Sequence, residues 1–240
     1  MRLMIAGIPV EIKTEHGFTP RSFNLFETDS EALASVSLPS GWIEKMRSHH
    51  TPDMTDALVE YNELPPAVSD ALLPFGRCLF HGVAFIWRGK AWLFSAPSGT
   101  GKSTQYVLWK IRYGDEIRML NGDKPVLEFS DNGVTVHPSP WTGKESMGRM
   151  ESAPLGGIIF LRQAGENRID LLPAGQAVAP IFGQFIYSAG TEEQIHAVCR
   201  MEEQMLRSVP VWLLSNLGDT ASAELTHDTL AAYEEAGYDL

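Results

Sequence analysis

Ala91-Trp92-Leu93-Phe94-Ser95-Ala96-Pro97-Ser98-Gly99-Thr100-Gly101-Lys102-Ser103 decides the fold, because an apolar run passes directly into a glycine-rich turn that closes on Lys-Ser. Ala91 to Ser95 reads as a buried strand. Ser103 to Tyr113 reads as a helix, with Tyr106, Val107, Trp109 and Ile111 offered for packing, Lys110 and Arg112 near its end, and Gly114 as a stop. The turn between them, Ala96 to Ser103, fits the phosphate-loop pattern with Ala96 in place of the first glycine. A small residue serves there as long as its φ stays negative.

The chemistry follows from the spacing. Successive backbone N–H groups of Gly99 to Ser103 can converge on phosphate oxygens, aided by the positive end of the following helix. Lys102 would bridge the β- and γ-phosphates, the Ser103 hydroxyl has the position of a Mg²⁺ ligand, and Thr104 adds a donor beside it. Ser98, Gly99, Thr100, Gly101, Lys102, Ser103 and Thr104 are therefore the nucleotide-binding candidates. The bland alternative is an ordinary turn with a solvated lysine, and the strand-to-helix context argues against it. A dinucleotide reading fails because the chain has no GxGxxG.

Outward from the loop, the apolar run Leu79 to Trp87 precedes it, and Arg88-Gly89-Lys90 is a hairpin signal between that run and Ala91 to Ser95. Downstream, Ile117 to Leu120 reads as a strand with Asn121-Gly122-Asp123 as its polar end. Val126 to Phe129 and Val134 to Val136 form a hairpin turned at Asp131-Asn132-Gly133. Gly156 to Leu161 and Val209 to Leu214 are further buried strands, and Glu192 to Arg207 and Ala221 to Ala236 are helices. Upstream, Met1 to Lys13 looks like a strand around Gly7-Ile8-Pro9. Thr55 to Leu73 has near-helical spacing broken by Pro65-Pro66, which predicts two short helices or a helix and a turn. The expected organisation is a small N-terminal lobe over residues 1–76 and a core over 77–240.

Composition narrows the function classes. The apolar fraction of 44% excludes a wholly disordered chain, and a net charge of −11 disfavours nucleic acid or anionic lipid as a partner. No apolar run reaches the length of a membrane span and the N-terminus lacks a secretory pattern, so a cytoplasmic location is expected. Cys78 and Cys199 are too few for a disulfide framework and are expected to be buried free thiols. The seven histidines show no ligand spacing for a transition metal.

With the loop placed, Phe80-His81-Gly82-Val83, the loop itself and Asn121-Gly122-Asp123-Lys124 resemble the HPr kinase/phosphorylase family in order and spacing. In that family an HG dipeptide begins the strand pair before the loop, and an acidic element after it supplies Mg²⁺ binding and the catalytic base. The family usually has two adjacent acids where this chain has Gly122-Asp123. Ile159 to Asn167 is similar to the stretch that carries a phosphate-directed arginine, which implies that role for Arg162. Pro140-Trp141-Thr142-Gly143-Lys144-Glu145 looks like small HPr-kinase-related proteins, including kinases of peptide-modification gene clusters. The resemblance spans roughly Cys78 to Asp219. It implies an α/β fold of the phosphoenolpyruvate-carboxykinase-like P-loop type, in which a mixed sheet replaces an all-parallel one. It does not imply HPr as the acceptor.

Beside the resemblance stand the residues' own chemistries. Asp123 is either turn chemistry or the acid that a kinase keeps near Mg²⁺-bound phosphates, as metal ligand or proton acceptor. His81 is a core histidine or part of the active-site wall, orienting Asp123 or the acceptor. Lys144 and Glu145 are a solvated pair or, with an aromatic wall and a flexible Gly143, a contact to phosphate or acceptor. Trp109 belongs to the core. The expected activity is a phosphotransferase using ATP or another phosphoryl donor with Mg²⁺, held by Ser103 and Asp123, with Lys102, Asp123, His81 and Arg162 as catalytic candidates. Its acceptor is an unidentified peptide, protein or small molecule bearing a hydroxyl or carboxylate. The rival is a nucleotide-binding regulatory module with little or no turnover. The oligomeric state is open.

Overall fold

Two consecutive left-handed residues, Ala6 (φ 47°) and Gly7 (φ 80°), turn β1 (Arg2–Ile5) back on β2 (Ile8–Lys13), so the N-terminal run is a hairpin and not one strand. The computed structural model describes residues 1–17, 21–143 and 150–237. β3 (Ala34–Ser37) pairs parallel to β2 and completes a three-stranded sheet. A short α1 (Trp42–Met46) precedes α2 (Asp56–Leu72), whose N-cap Thr55 accepts a hydrogen bond from the Leu58 N–H.

The two prolines do not break α2, which is a single 17-residue helix. Pro65 has no N–H for the Tyr61 carbonyl one turn earlier, and a proline inside a helix costs about 3 kcal/mol. The Trp141 indole donates to that carbonyl instead, at 3.2 Å. A residue far along the chain thus supplies what the local sequence lacks.

The apolar run Leu79 to Trp87 is likewise two strands. β4 (Arg77–Phe80) and β5 (Val83–Trp87) part at His81-Gly82, where a Cβ on Gly82 would lie 3.1 Å from the Phe94 carbonyl. β5 then turns at Arg88 and Gly89, both left-handed, into β6 (Lys90–Ser95). Next come α3 (Lys102–Tyr113), β7 (Arg118–Asn121), the hairpin β8 (Val126–Ser130) and β9 (Gly133–His137), and the long β10 (Ala153–Gln163). β11 (Arg168–Leu171), α4 (Ala174–Phe182), β12 (Phe185–Ile186), α5 (Glu192–Ser208), β13 (Val211–Asn216) and α6 (Thr220–Ala236) complete the described fold.

The result is a mixed α/β architecture around a ten-stranded sheet in which β10 is the shared member. Its first residues pair antiparallel with β9, and the rest lies parallel to β6 on one side and β13 on the other. Between those neighbours Gly157 is obligatory: a Cβ there would sit 2.4 Å from the Trp212 ring and 3.0 Å from Trp92. Alternation along β10 splits the core. Ile159 and Leu161 join Trp92, Trp109, Trp212 and Leu230 under α3 and α6, whereas Ile158 and Phe160 join Ile181, Val198 and Met205 under α4 and α5. A third cluster joins the N-terminal sheet and α2 to Leu79, Val126 and Trp141.

Two further expectations change. On α3, Val107 and Ile111 face solvent, while Lys102, Gln105 and Trp109 form the buried stripe. Gln105 is drawn inward because its amide donates to Asn216 Oδ1 (3.3 Å) and Ser222 Oγ (2.6 Å), joining α3 to β13 and α6. Cys78 is buried and its thiol is pushed up to about 12, but Cys199 is exposed on α5. Among the described residues no helix is long and apolar enough to cross a membrane.

Candidate functional site

β6 ends at Ser95, whose hydroxyl donates to the His81 carbonyl at 2.8 Å, and the turn beyond it is built for backbone exposure. Ala96 is buried and is not among the residues with positive φ, so a methyl group fits where the pattern has glycine. Gly99 (φ 81°) and Gly101 (φ 112°) are left-handed, a conformation that a Cβ would strain. Lys102 is only 9% exposed and folds over the turn, its Nζ donating to the carbonyls of Ala96 (2.8 Å) and Pro97 (3.3 Å). Burial holds its ammonium below the ordinary lysine value, Asp123 opposing the shift and Lys124 adding to it. A desolvated cation with weak carbonyl partners is suited to an incoming anion.

Facing the turn is the end of β7. Asn121 is fully buried, and its Oδ1 accepts from the N–H groups of Asp123 (3.0 Å) and Lys124 (2.9 Å) while its Nδ2 donates to the Ser139 carbonyl (3.0 Å). This closes an Asx turn that presents Asp123. The Lys124 N–H also donates to the Trp141 carbonyl, and the Gly82 N–H donates to that of Asp123 at 2.9 Å. Gly143 (φ 68°) lies so near that a Cβ would meet Asp123 Cβ at 3.1 Å.

The Asp123 carboxylate is ion-paired with the Lys124 ammonium, and His81 Nε2 lies 3.6 Å from its Oδ1. Burial pushes the His81 imidazole below the usual histidine range and Lys102 adds to this, with Asp123 opposing; the ring is neutral near pH 7. His81 Nε2 and the Asp123 carboxylate therefore stand side by side on one wall of the site.

A cavity of about 380 Å³ separates the two halves, lined by Ser98, Gly99, Gly101, Lys102, Ser103 and Thr104 on one side and by His81, Gly122, Asp123 and Gly143 on the other. Thr100 does not line it but faces a second cavity of about 350 Å³ across the same turn. Arg162 lines neither cavity: its guanidinium donates to Ser215 Oγ at 2.7 Å. Trp141 is no exposed aromatic wall, being buried against Phe23 and Tyr61 at ring separations of 5.4 and 6.3 Å. Lys144 and Glu145 lie outside the described residues.

Among the described residues no three His, Cys, Asp or Glu side chains cluster for a metal. Mg²⁺ needs no such cluster, since it keeps several waters and takes one or two protein oxygens plus substrate phosphates. The Ser103 hydroxyl and the Asp123 carboxylate in one cavity are a donor set of that kind. Sequence reasoning gave Lys124, Asn121 and Ser139 no role of their own in the site. Asn121 could have been found, since Asn two residues before a functional acid is Asx-turn chemistry.

Neither a family model nor a curated protein matches this chain. Among solved structures, the HPr(Ser) kinase/phosphatase from Coxiella burnetii aligns with 66% of this chain and 97% of its own, at 10% sequence identity and a TM-score of 0.39. Likeness at that level assigns neither a fold family nor an activity, and the motif resemblance rests on the residues quoted for it.

Proposed function

We propose that this chain is a P-loop phosphotransferase with a mixed-sheet core of the phosphoenolpyruvate-carboxykinase-like type, using ATP and Mg²⁺ to phosphorylate a hydroxyl or carboxylate on a peptide, protein or small-molecule acceptor. The observation that carries this is one cavity with a buried lysine and a helix N-terminus on one wall and a carboxylate beside a histidine on the other. In this reading residues 1–76 are a small lobe and 77–240 the catalytic core.

The Lys102 ammonium and the N–H groups of Gly99 to Ser103 hold the β- and γ-phosphates and stabilise charge that grows on them. Ser103 and Asp123 would hold Mg²⁺, which would supply positive charge against the phosphate oxygens. Asp123 takes the proton of a hydroxyl acceptor as its oxygen bonds to the γ-phosphorus and the bond to the β-phosphate oxygen breaks, releasing ADP. A carboxylate acceptor needs no proton removed. His81 orients Asp123, and Lys124 sets a positive charge beside its carboxylate. Arg162 would have to leave Ser215 to reach phosphate.

A nucleotide sensor is the second reading, favoured by the ion pair that already engages Asp123. Two variants test the pair. Lys102→Ala should weaken triphosphate binding much more than monophosphate binding by calorimetry, and equal losses would remove the phosphate loop. Asp123→Asn should keep metal-free ATP binding while lowering transfer by roughly 10² to 10⁴; wild-type turnover in that variant would sink the catalytic assignment of Asp123, and absence of transfer from the wild type would leave the sensor.

A further inference from the structure

The two cavities on either side of the glycine-rich turn differ in chemistry. Both reach Gly99, Gly101 and Thr104, but the second continues to Gln163, Ala164, Asn216, Leu217 and Gly218 at the carboxyl ends of β10 and β13. Among the described residues no charged side chain lines it. The first holds the cations and the carboxylate, so reacting phosphate and acceptor belong there, and a triphosphate lying along the turn must send its other end across Thr104.

Leu217 is 56% exposed, yet it is held in place. Its N–H donates to Asn167 Oδ1 at 2.8 Å, while Asn167 Nδ2 donates to Asp219 Oδ1 at 2.9 Å, which clamps the turn around left-handed Gly218. Asn216 is a fixed wall, its amide spent between Gln105 and the Arg162 carbonyl. The Gln163 amide has no such partner among the described residues. An apolar platform on a clamped turn, beside an uncommitted amide in a neutral crevice, is a receptor for a flat, uncharged, hydrogen-bonding ring. Crevices at the carboxyl ends of parallel strands are where open α/β sheets take such ligands.

We infer that this second cavity binds the nucleoside of the phosphoryl donor, with the base on Leu217 and Gln163 reading its edge. The inference rests on the phosphotransferase reading and adds to it where the donor's base is held and what selects it. A glutamine amide offers a donor and an acceptor side by side, which matches adenine N6 and N7, whereas guanine O6 and N7 call for two donors such as arginine supplies. Among the described residues the lining has no arginine, so the donor is ATP in preference to GTP.

The test is equilibrium binding of ATP, GTP and inorganic tripolyphosphate, each with Mg²⁺, to the wild type, Leu217→Ser and Ala164→Trp. The wild type should bind ATP roughly five-fold or more tightly than tripolyphosphate, the scale of one base-stacking contact. Both variants should lose that advantage and bind tripolyphosphate as the wild type does, which also shows that they are folded. ATP affinity unchanged in both variants, parallel loss of tripolyphosphate, or GTP bound as tightly as ATP would overturn the inference and leave the phosphate loop standing. If the wild type binds neither ATP nor tripolyphosphate, the phosphotransferase reading fails first and the inference with it.

Discussion

Asn121→Ala removes one buried side chain and tests how the acid of the site is held. Asn121 is 0% exposed and makes four hydrogen bonds, accepting from the Asp123 and Lys124 N–H groups and donating to the Ser139 carbonyl and, more weakly, to its hydroxyl oxygen. Each buried group left without a partner costs about 1 to 3 kcal/mol, less where relaxation or water restores a bond. The sum is about 3 to 5 kcal/mol, a large share of the roughly 5 to 15 kcal/mol that stabilises a protein. At about 2 to 4 °C per kcal/mol for a chain of this size, the midpoint should fall by roughly 6 to 20 °C. Urea unfolding gives the free energy directly, provided the m-value matches the wild type. The variant should also lose the Mg²⁺-dependent part of ATP binding, since the turn presenting Asp123 is undone, while metal-free binding by the loop persists. A loss under about 1 kcal/mol with unchanged metal dependence would refute the reasoning, because Asp123 would then be held by something other than the Asx turn.

Trp141→Phe should cost about 1 to 3 kcal/mol by taking the indole donor from the Tyr61 carbonyl. Pro65→Ala restores a helical N–H to the same acceptor, so a double-mutant cycle should show coupling of at least about 0.5 kcal/mol, and additive effects would disprove the substitution of one donor for the other. Burial lowers the His81 and His137 pKa values in the folded state below the ordinary 6.5. As pH falls through 6.5 the unfolded chain takes up protons first, so stability is complete above that value and declines as pH drops toward the lower folded values. Urea midpoints between about pH 8 and pH 5 should show the decline and His137→Gln should lessen it; identical slopes for both proteins would contradict it.

The features legible in the sequence are those that local chemistry decides. The turn at Arg88-Gly89 and the one at Asp131-Asn132-Gly133 announce their hairpins, and Pro97 to Lys102 announces a strand-to-helix turn whatever surrounds it. The features that escape it depend on distant partners. One continuous α2 requires Trp141, and the buried Gln105 requires Asn216 and Ser222. α4 is hidden because Ala174–Phe182 contains both Gly175 and Pro180, and β11 because its charged-apolar alternation lasts only four residues, too short a run to stand out. In the site, the loop and Asp123 share a cavity, but the pairing of Asp123 with Lys124 and the approach of Gly143 depend on how β7 and the chain after β9 meet. Arg162 is singled out by resemblance, and strand alternation with a hydrogen bond to Ser215 takes it elsewhere.

The mixed direction of the sheet has a chemical consequence. β6, β10 and β13 run parallel and end at Ser95, Gln163 and Asn216, with the N-termini of α3 and α6 close behind two of those ends. Such an edge collects backbone N–H groups, helix dipoles and a lysine, but an all-parallel sheet would bring to it only the loop leaving the carboxyl end of each strand. Here β5 is antiparallel to β6, so its beginning lies beside the end of β6, Val83 opposite Phe94. β7 is antiparallel to β5 in turn, which returns its end to the same edge, Asn121 opposite Ala84. The first reversal delivers His81-Gly82 to the phosphate turn, and the second delivers Gly122-Asp123. Without either reversal the neutral histidine or the carboxylate would lie a strand length, roughly 17 to 20 Å, from Lys102. In the phosphotransferase reading, the antiparallel pair β5–β7 is therefore what brings a proton acceptor to an edge that otherwise offers only groups for binding an anion.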